Sequence, residues 1–143
     1  MTAVLVAILV LLAALHFYWG LGGRWPGHDD RSLVEFVVGR TRDMKAPGIW
    51  ACLFVTSALL VSAFIVALHA GVVALALPEW MHLLGQVGYW IAFAVFAARG
   101  VAGFIPSVFR YAERTPFARL NRLYYSPLCL AVAMGFIAVH LNA

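Results

Sequence analysis

The chain has 143 residues, of which 64% are hydrophobic and 11% charged, and a mean hydropathy of +0.93. Soluble domains are about half apolar and about a quarter charged, so this composition excludes an ordinary water-soluble domain and implies a bilayer as the solvent. The formal charge of +4 does not indicate nucleic acid, because the cations gather at the ends of apolar runs, where anionic headgroups meet them.

In chain order, the first apolar run begins at Ala3. No basic segment precedes it and no small-x-small cleavage site follows it, so it reads as a retained membrane helix rather than a signal peptide. This helix covers residues 3–22 and ends in the block LHFYWGLGGRWPG. A polar loop, 24–46, leads to a second helix over 47–70, with Pro47 at its first position. Its apolar run continues to Leu77, longer than a bilayer needs. A third helix covers 84–105 and stops before Pro106. A second loop, 106–125, precedes a fourth helix over 126–142, with Ser126 as cap residue and Pro127 behind it. The expected fold is all-α, a single integral membrane four-helix bundle over 1–143.

The ten basic residues divide evenly. Arg24, Arg31, Arg40, Arg42 and Lys45 belong to the first loop; Arg110, Arg114, Arg119 and Arg122, with Arg99 one to two turns inside the third helix, belong to the second. The connection 78–85 has none. The positive-inside rule then places both basic loops in the cytoplasm and both termini outside. In the second loop, Thr115 and Pro116 start a short amphipathic helix lying at the interface, with Phe117, Leu120 and Tyr124 on one face.

An offset of 80 residues aligns GLGGRWPG with GVAGFIPS, matching Gly20 to Gly100, Gly23 to Gly103 and Pro26 to Pro106. Without a gap it also matches Arg42 to Arg122 and Pro47 to Pro127, which suggests two parallel helical hairpins; chance clustering of glycine and proline at helix ends is the alternative. Gly20, Gly22, Gly23, Gly100 and Gly103 are read as structural, letting backbones approach closely in lipid. Trp19 and Trp25 suit the headgroup level.

No carboxylate falls within any helix, which argues against a proton-coupled carrier. No catalytic triad, phosphate loop or HExxH is present. Cys52 and Cys129 form no CxxC and read as small hydrophobes. The polar groups that remain sort by depth. His16, Tyr18, Trp19, Arg99 and Tyr125 lie toward the basic loops and outline a pocket for an amphiphile at the cytoplasmic leaflet; ordinary hydrogen bonding of His16 and snorkelling of Arg99 is the plainer reading. His69, His82 and His140 share the opposite depth and are weak candidates for a metal or haem iron; no metal is assigned, and the cofactor is left unknown.

Two blocks carry a resemblance. His16, Tyr18, Trp19, Leu21, Gly22 and Gly23 form one; Phe117 to Asn121 followed by Tyr125, Ser126, Pro127, Leu128 and Cys129 form the other. Together they resemble an uncharacterised family of small bacterial four-helix membrane proteins, a domain of unknown function. The resemblance implies a fold, a home in a bacterial inner membrane and no known activity. The family's aspartate stands as Asn121 here, so no acid role carries over to that position.

The first functional expectation is a non-catalytic accessory subunit of a larger membrane complex. The alternative is a binding protein or enzyme for a lipid, quinone or haem. A homo-oligomeric carrier is disfavoured for want of a buried carboxylate. Membrane lipids and a larger complex or further copies of the chain are the expected partners.

Overall fold

A computed structural model describes residues 1–143 and is all-helical. Four segments are long and apolar enough to cross a bilayer. They are α1 (Thr2–Gly20), α3 (Ile49–His69), α4 (Glu79–Ala102) and the stretch Pro116–His140, while α2 (Asp30–Val37) lies in the first loop. The last stretch is one continuous helical path made of α5 (Pro116–Leu120), a π-helical turn (Asn121–Tyr125) and α6 (Ser126–His140). The shortest span, α1, has 19 residues. At about 1.5 Å per residue it reaches about 28 Å, close to the roughly 30 Å of a hydrocarbon core.

α1 packs chiefly on α3, and α4 chiefly on α6; lesser contacts join α3 to α4 and α1 to α6. Two antiparallel hairpins therefore lie side by side, with α1 and α4 at opposite corners. A half turn that exchanges the hairpins maps this pairing onto itself. The glycines follow the same scheme. A Cβ on Gly20 would lie 3.0 Å from Cys52 Cβ, and one on Gly100 would lie 2.6 Å from Leu130, each near the start of the helix that returns.

The core is drawn from all four spans. α1 supplies Leu5, Leu9 and Ala13, α3 supplies Leu59, Ala63 and Val66, and α6 supplies Val132, Phe136 and Val139, each set spaced along one helical face. Tyr89 of α4 is fully buried among them. Lipid tails are as apolar as these side chains, so close packing rather than transfer from water holds the seam. Thr56 adds a buried hydroxyl that donates to the Ala13 carbonyl across the first hairpin, at 3.4 Å.

Several helix ends differ from the sequence reading. α1 stops at Gly20 rather than residue 22, because Gly22 turns the chain with φ +95°, a conformation side chains resist. α3 starts at Ile49 with Gly48 before it, so Pro47 precedes the helix instead of opening it. α4 starts at Glu79, five residues before Leu84, and ends at Ala102 instead of Ile105. Glu79 and His82 broke the apolar run, but a helix passes through the headgroup layer without needing one. Ser126 is not a cap: the backbone is already helical at Tyr125, and the side chain is fully buried. Thr115 makes no capping bond either; its hydroxyl donates to the Ala112 carbonyl at 2.7 Å. The short helix expected at the interface is α5, and it feeds straight into the last span.

The two basic loops interlock. Asp29 caps α2: its carboxylate accepts from the Ser32 N–H at 2.8 Å, and the Ser32 hydroxyl accepts from the Asp29 N–H at 3.1 Å. The Ser32 N–H, chiefly, holds the Asp29 carboxyl below its ordinary pKa. α2 buries its own Leu33 and Val34. The carbonyls at its far end, which helix geometry leaves unpaired, receive hydroxyls from the other loop. Tyr125 donates to Phe36 O at 3.1 Å and Tyr111 to Val38 O at 3.4 Å. Removing one such hydroxyl gives a direct test. Tyr125→Phe is expected to cost about 1 kcal/mol, read as a lower melting temperature in detergent, with faster amide exchange at residues 36–39. An unchanged melt and unchanged exchange would show that the loops are not held together this way.

Candidate functional site

At the basic end, most of the sequence-selected polar groups have partners within the chain. The His16 Nδ1 lies 2.8 Å from the Leu12 carbonyl one turn back, and its ring meets Trp19 edge-on at 5.1 Å. Trp19 Nε1 donates to the Trp25 carbonyl at 2.7 Å, and the Tyr18 hydroxyl accepts from the Trp25 N–H at 3.4 Å. The Tyr18 ring occupies the space a Gly23 side chain would need. Arg24 closes this corner by pairing with Asp30 at 2.5 Å. The block around residues 15–27 thus turns the chain out of α1 and fastens it to the start of α2. Cys52 and Cys129 are free thiols.

Arg99 belongs to a second polar group, which depends on Pro127. Proline has no N–H to offer the carbonyl four residues back, and its ring crowds that carbonyl. The chain widens into a π turn just ahead of it, where Ser126 N–H bonds to the Asn121 carbonyl five residues back. That turn stacks the Asn121 and Ser126 side chains, with the Ser126 hydroxyl donating to Asn121 Oδ1 at 3.2 Å. Arg99 Nη2 donates to the same oxygen at 2.8 Å, and Asn121 Nδ2 reaches the Gly103 carbonyl at 3.4 Å. Gly103 is required here, since a Cβ would collide with the Ser126 hydroxyl. The Arg99 guanidinium carbon lies 4.9 Å over the Phe109 ring, a cation–π contact. Arg99 Nη1 is buried without a partner. The chain's two ion pairs are Arg24–Asp30 and Arg31–Glu35, so Arg99 has no counter-charge.

Arg99 on α4 and His16 on α1 stand on opposite corners of the bundle and bond to different elements. A cavity of about 360 Å³ between α2 and α5 is lined by Phe36, Arg119 and Leu123 among others. None of His16, Tyr18, Trp19, Arg99 or Tyr125 lines it.

The opposite end is built differently. α3 finishes at His69 and α6 at His140. Their rings meet, with His69 Nε2 3.1 Å from His140 Nδ1. The buried Tyr89 ring stacks on His69 at 4.2 Å, and its hydroxyl donates to the Phe136 carbonyl. Trp90 meets His140 edge-on at 5.0 Å. Beside this cluster lies a cavity of about 660 Å³, walled by the end of α3, residues 71–77 and the first two turns of α4. His69, His82 and Gln86 are its polar side chains; Ile65, Leu68 and Met81 are among its apolar ones. His82 therefore shares a cavity wall with His69 but stands apart from the His69–His140 contact. No three His, Cys, Asp or Glu side chains gather as a cage for an ion. Tyr89 escaped the sequence reading because nothing in a run of aromatic residues marks which ring is buried.

The Arg99 network yields a measurable expectation. Asn121→Ala strips Arg99 and Ser126 of their shared acceptor and should cost about 2–3 kcal/mol. Asn121→Asp supplies the missing counter-charge and should raise the melting temperature above wild type. In a double-mutant cycle, Arg99→Met should recover part of the Asn121→Ala loss. Strictly additive effects would mean that the two side chains are not coupled.

A family model described as a protein of unknown function (DUF3995) matches residues 9–136. No curated protein and no solved structure matches the chain. The matched region takes in α3 and α4 whole, most of α1 and α6, both interlocked loops and the Arg99 network, and the chain belongs to this family of proteins of unknown function.

Proposed function

We propose that this multi-pass membrane protein binds an amphiphile in the cavity at the histidine end. The cavity beside His69 carries the reading. Its volume of about 660 Å³ falls within the range of small-molecule sites, and its lining is mostly apolar with a few polar side chains. No lysine, arginine, aspartate or glutamate lines it, which favours a neutral head bearing hydrogen-bond acceptors, such as a quinone, over a charged phospholipid head. Haem fits less well, because its propionates would meet no cation there. Gly85 lines the same wall, and a side chain at that position would meet nothing within 4 Å, so no packing inside the chain calls for glycine. A ligand lying against the backbone would.

A second reading, the accessory subunit, is favoured by α4. Among α1, α3 and α4 it is the least apolar, and of all four spans it is the least covered: of its 24 residues, only Tyr89 and Gly100 are buried. A span facing lipid alone is expected to be the more apolar one. The orientation that accompanies both readings puts the basic end in the cytoplasm of a bacterial cell.

Gentle extraction followed by native mass spectrometry separates the two. A bound amphiphile, with Gly85→Leu lowering its retention at least about tenfold (about 1.4 kcal/mol) while the bundle still folds, supports the cavity. A stoichiometric larger protein with no small molecule supports the subunit and defeats the first reading. For orientation, Asp30→Cys should resist a membrane-impermeant thiol reagent in intact cells and react after the membrane is broken. Labelling in intact cells would invert the topology.

A further inference from the structure

We infer that His69 and His140 form a two-imidazole site for a late divalent transition metal of the Zn²⁺, Cu²⁺ or Ni²⁺ class. Their nitrogens stand 3.1 Å apart. Two metal–nitrogen bonds of about 2.0–2.1 Å, meeting at an angle between square and tetrahedral, hold their nitrogens about 2.9–3.3 Å apart. The pair is set in place before any ion arrives. It joins residues 71 positions apart, and the His69 ring is held by its stack on Tyr89, which is itself tied to the Phe136 carbonyl.

The field favours a cation. His69 is the last residue of α3 and His140 the last of α6, so two helix C-termini, the negative ends of their dipoles, converge on this spot. No lysine or arginine lines the adjoining cavity. His140 is exposed, which leaves a path from the aqueous side. A donor set of neutral imidazoles selects late transition metals over Mg²⁺ and Ca²⁺, which want oxygen ligands. The remaining coordination positions stay open to water, or to a ligand carbonyl reaching from the cavity.

Protons balance without release. In the metal-free pair one ring nitrogen donates to the other. For both to present lone pairs, the donor ring shifts its proton to its second nitrogen, and both rings stay neutral.

The test uses the purified full chain in detergent and metal salt alone. Zn²⁺ titrated by calorimetry should bind at one equivalent and raise the melting temperature. His69→Gln and His140→Gln should each weaken binding at least about tenfold, since losing a ligand costs no less than losing its support. Equal affinity in wild type and both variants overturns the site. Should a variant not fold, Cu²⁺ added to the wild type decides: electron paramagnetic resonance should show two coupled nitrogens, and a spectrum without nitrogen coupling overturns the proposal. The inference stands apart from the amphiphile reading. Gly85→Leu should bind Zn²⁺ as wild type does even where it releases the amphiphile, and Zn²⁺ binding is read whether or not an amphiphile is retained.

Discussion

A charged side chain is costly in hydrocarbon, and that one constraint arranges this molecule. The ten cations are confined to two loops and to one arginine near the end of α4. Both loops therefore lie at the same end of four short spans, and there they have no choice but to share space. The chain turns this crowding to use. α2 lies against the second loop, and two tyrosines from that loop satisfy the carbonyls at its C-terminal end. Gly39, with φ +94°, passes against Ala112 and Phe117, where a Cβ would not fit. The basic end is thus a small folded layer in its own right, with a capped helix and cross-loop hydrogen bonds.

Within that layer Pro127 has effects beyond its own position. A proline inside a helix leaves a carbonyl without its donor, and in a membrane an unmet backbone group is expensive. Just ahead of the proline the backbone bonding shifts to five residues in a π turn. The same shift aligns Asn121 with Ser126 and directs both at Gly103 and Arg99. An uncharged amide at position 121 holds the guanidinium by a hydrogen bond and a ring face but does not neutralise it. A backbone irregularity, a buried amide and an unmatched cation are therefore one feature and not three.

The spans were legible in the sequence because lipid imposes length and apolarity on each of them, and glycine and proline punctuate the 80-residue correspondence openly. What stayed hidden depends on partners. Asp29 and Ser32 have the spacing of a capping box, but they sit among charges that read as a plain loop. Ser126 before Pro127 is a textual cap signal, yet a chain that is already helical puts a buried hydroxyl there. His16, Tyr18 and Tyr125 were marked as polar groups near one interface, and residue type alone does not reveal that a carbonyl or a neighbouring N–H waits for each. His69 and His140 are the converse. Their common depth follows from two spans running in the same direction and ending at the same level, but their 3.1 Å contact needs the packing of α3 beside α6.

The two ends consequently differ in how much hydrogen-bonding capacity is already used. At the basic end, the histidine, tyrosines and tryptophan of the two sequence blocks bond to the protein's own backbone, and that bonding fixes the loops. At the histidine end, the connection from α3 to α4 has no helix of its own. His82 and Gln86 face an apolar hollow, and two imidazoles face each other where two helix dipoles end. Preorganised groups with capacity to spare are what a ligand uses, whereas groups already bonded must first give something up. Arg99 Nη1 is the exception at the basic end, buried without a partner; a ligand for the other groups would have to displace internal bonds that hold the loops and α2 in place. An amphiphile at the histidine end would displace only water or lipid, and a metal ion only the single hydrogen bond between the two imidazoles, which is the physical reason for proposing a ligand there.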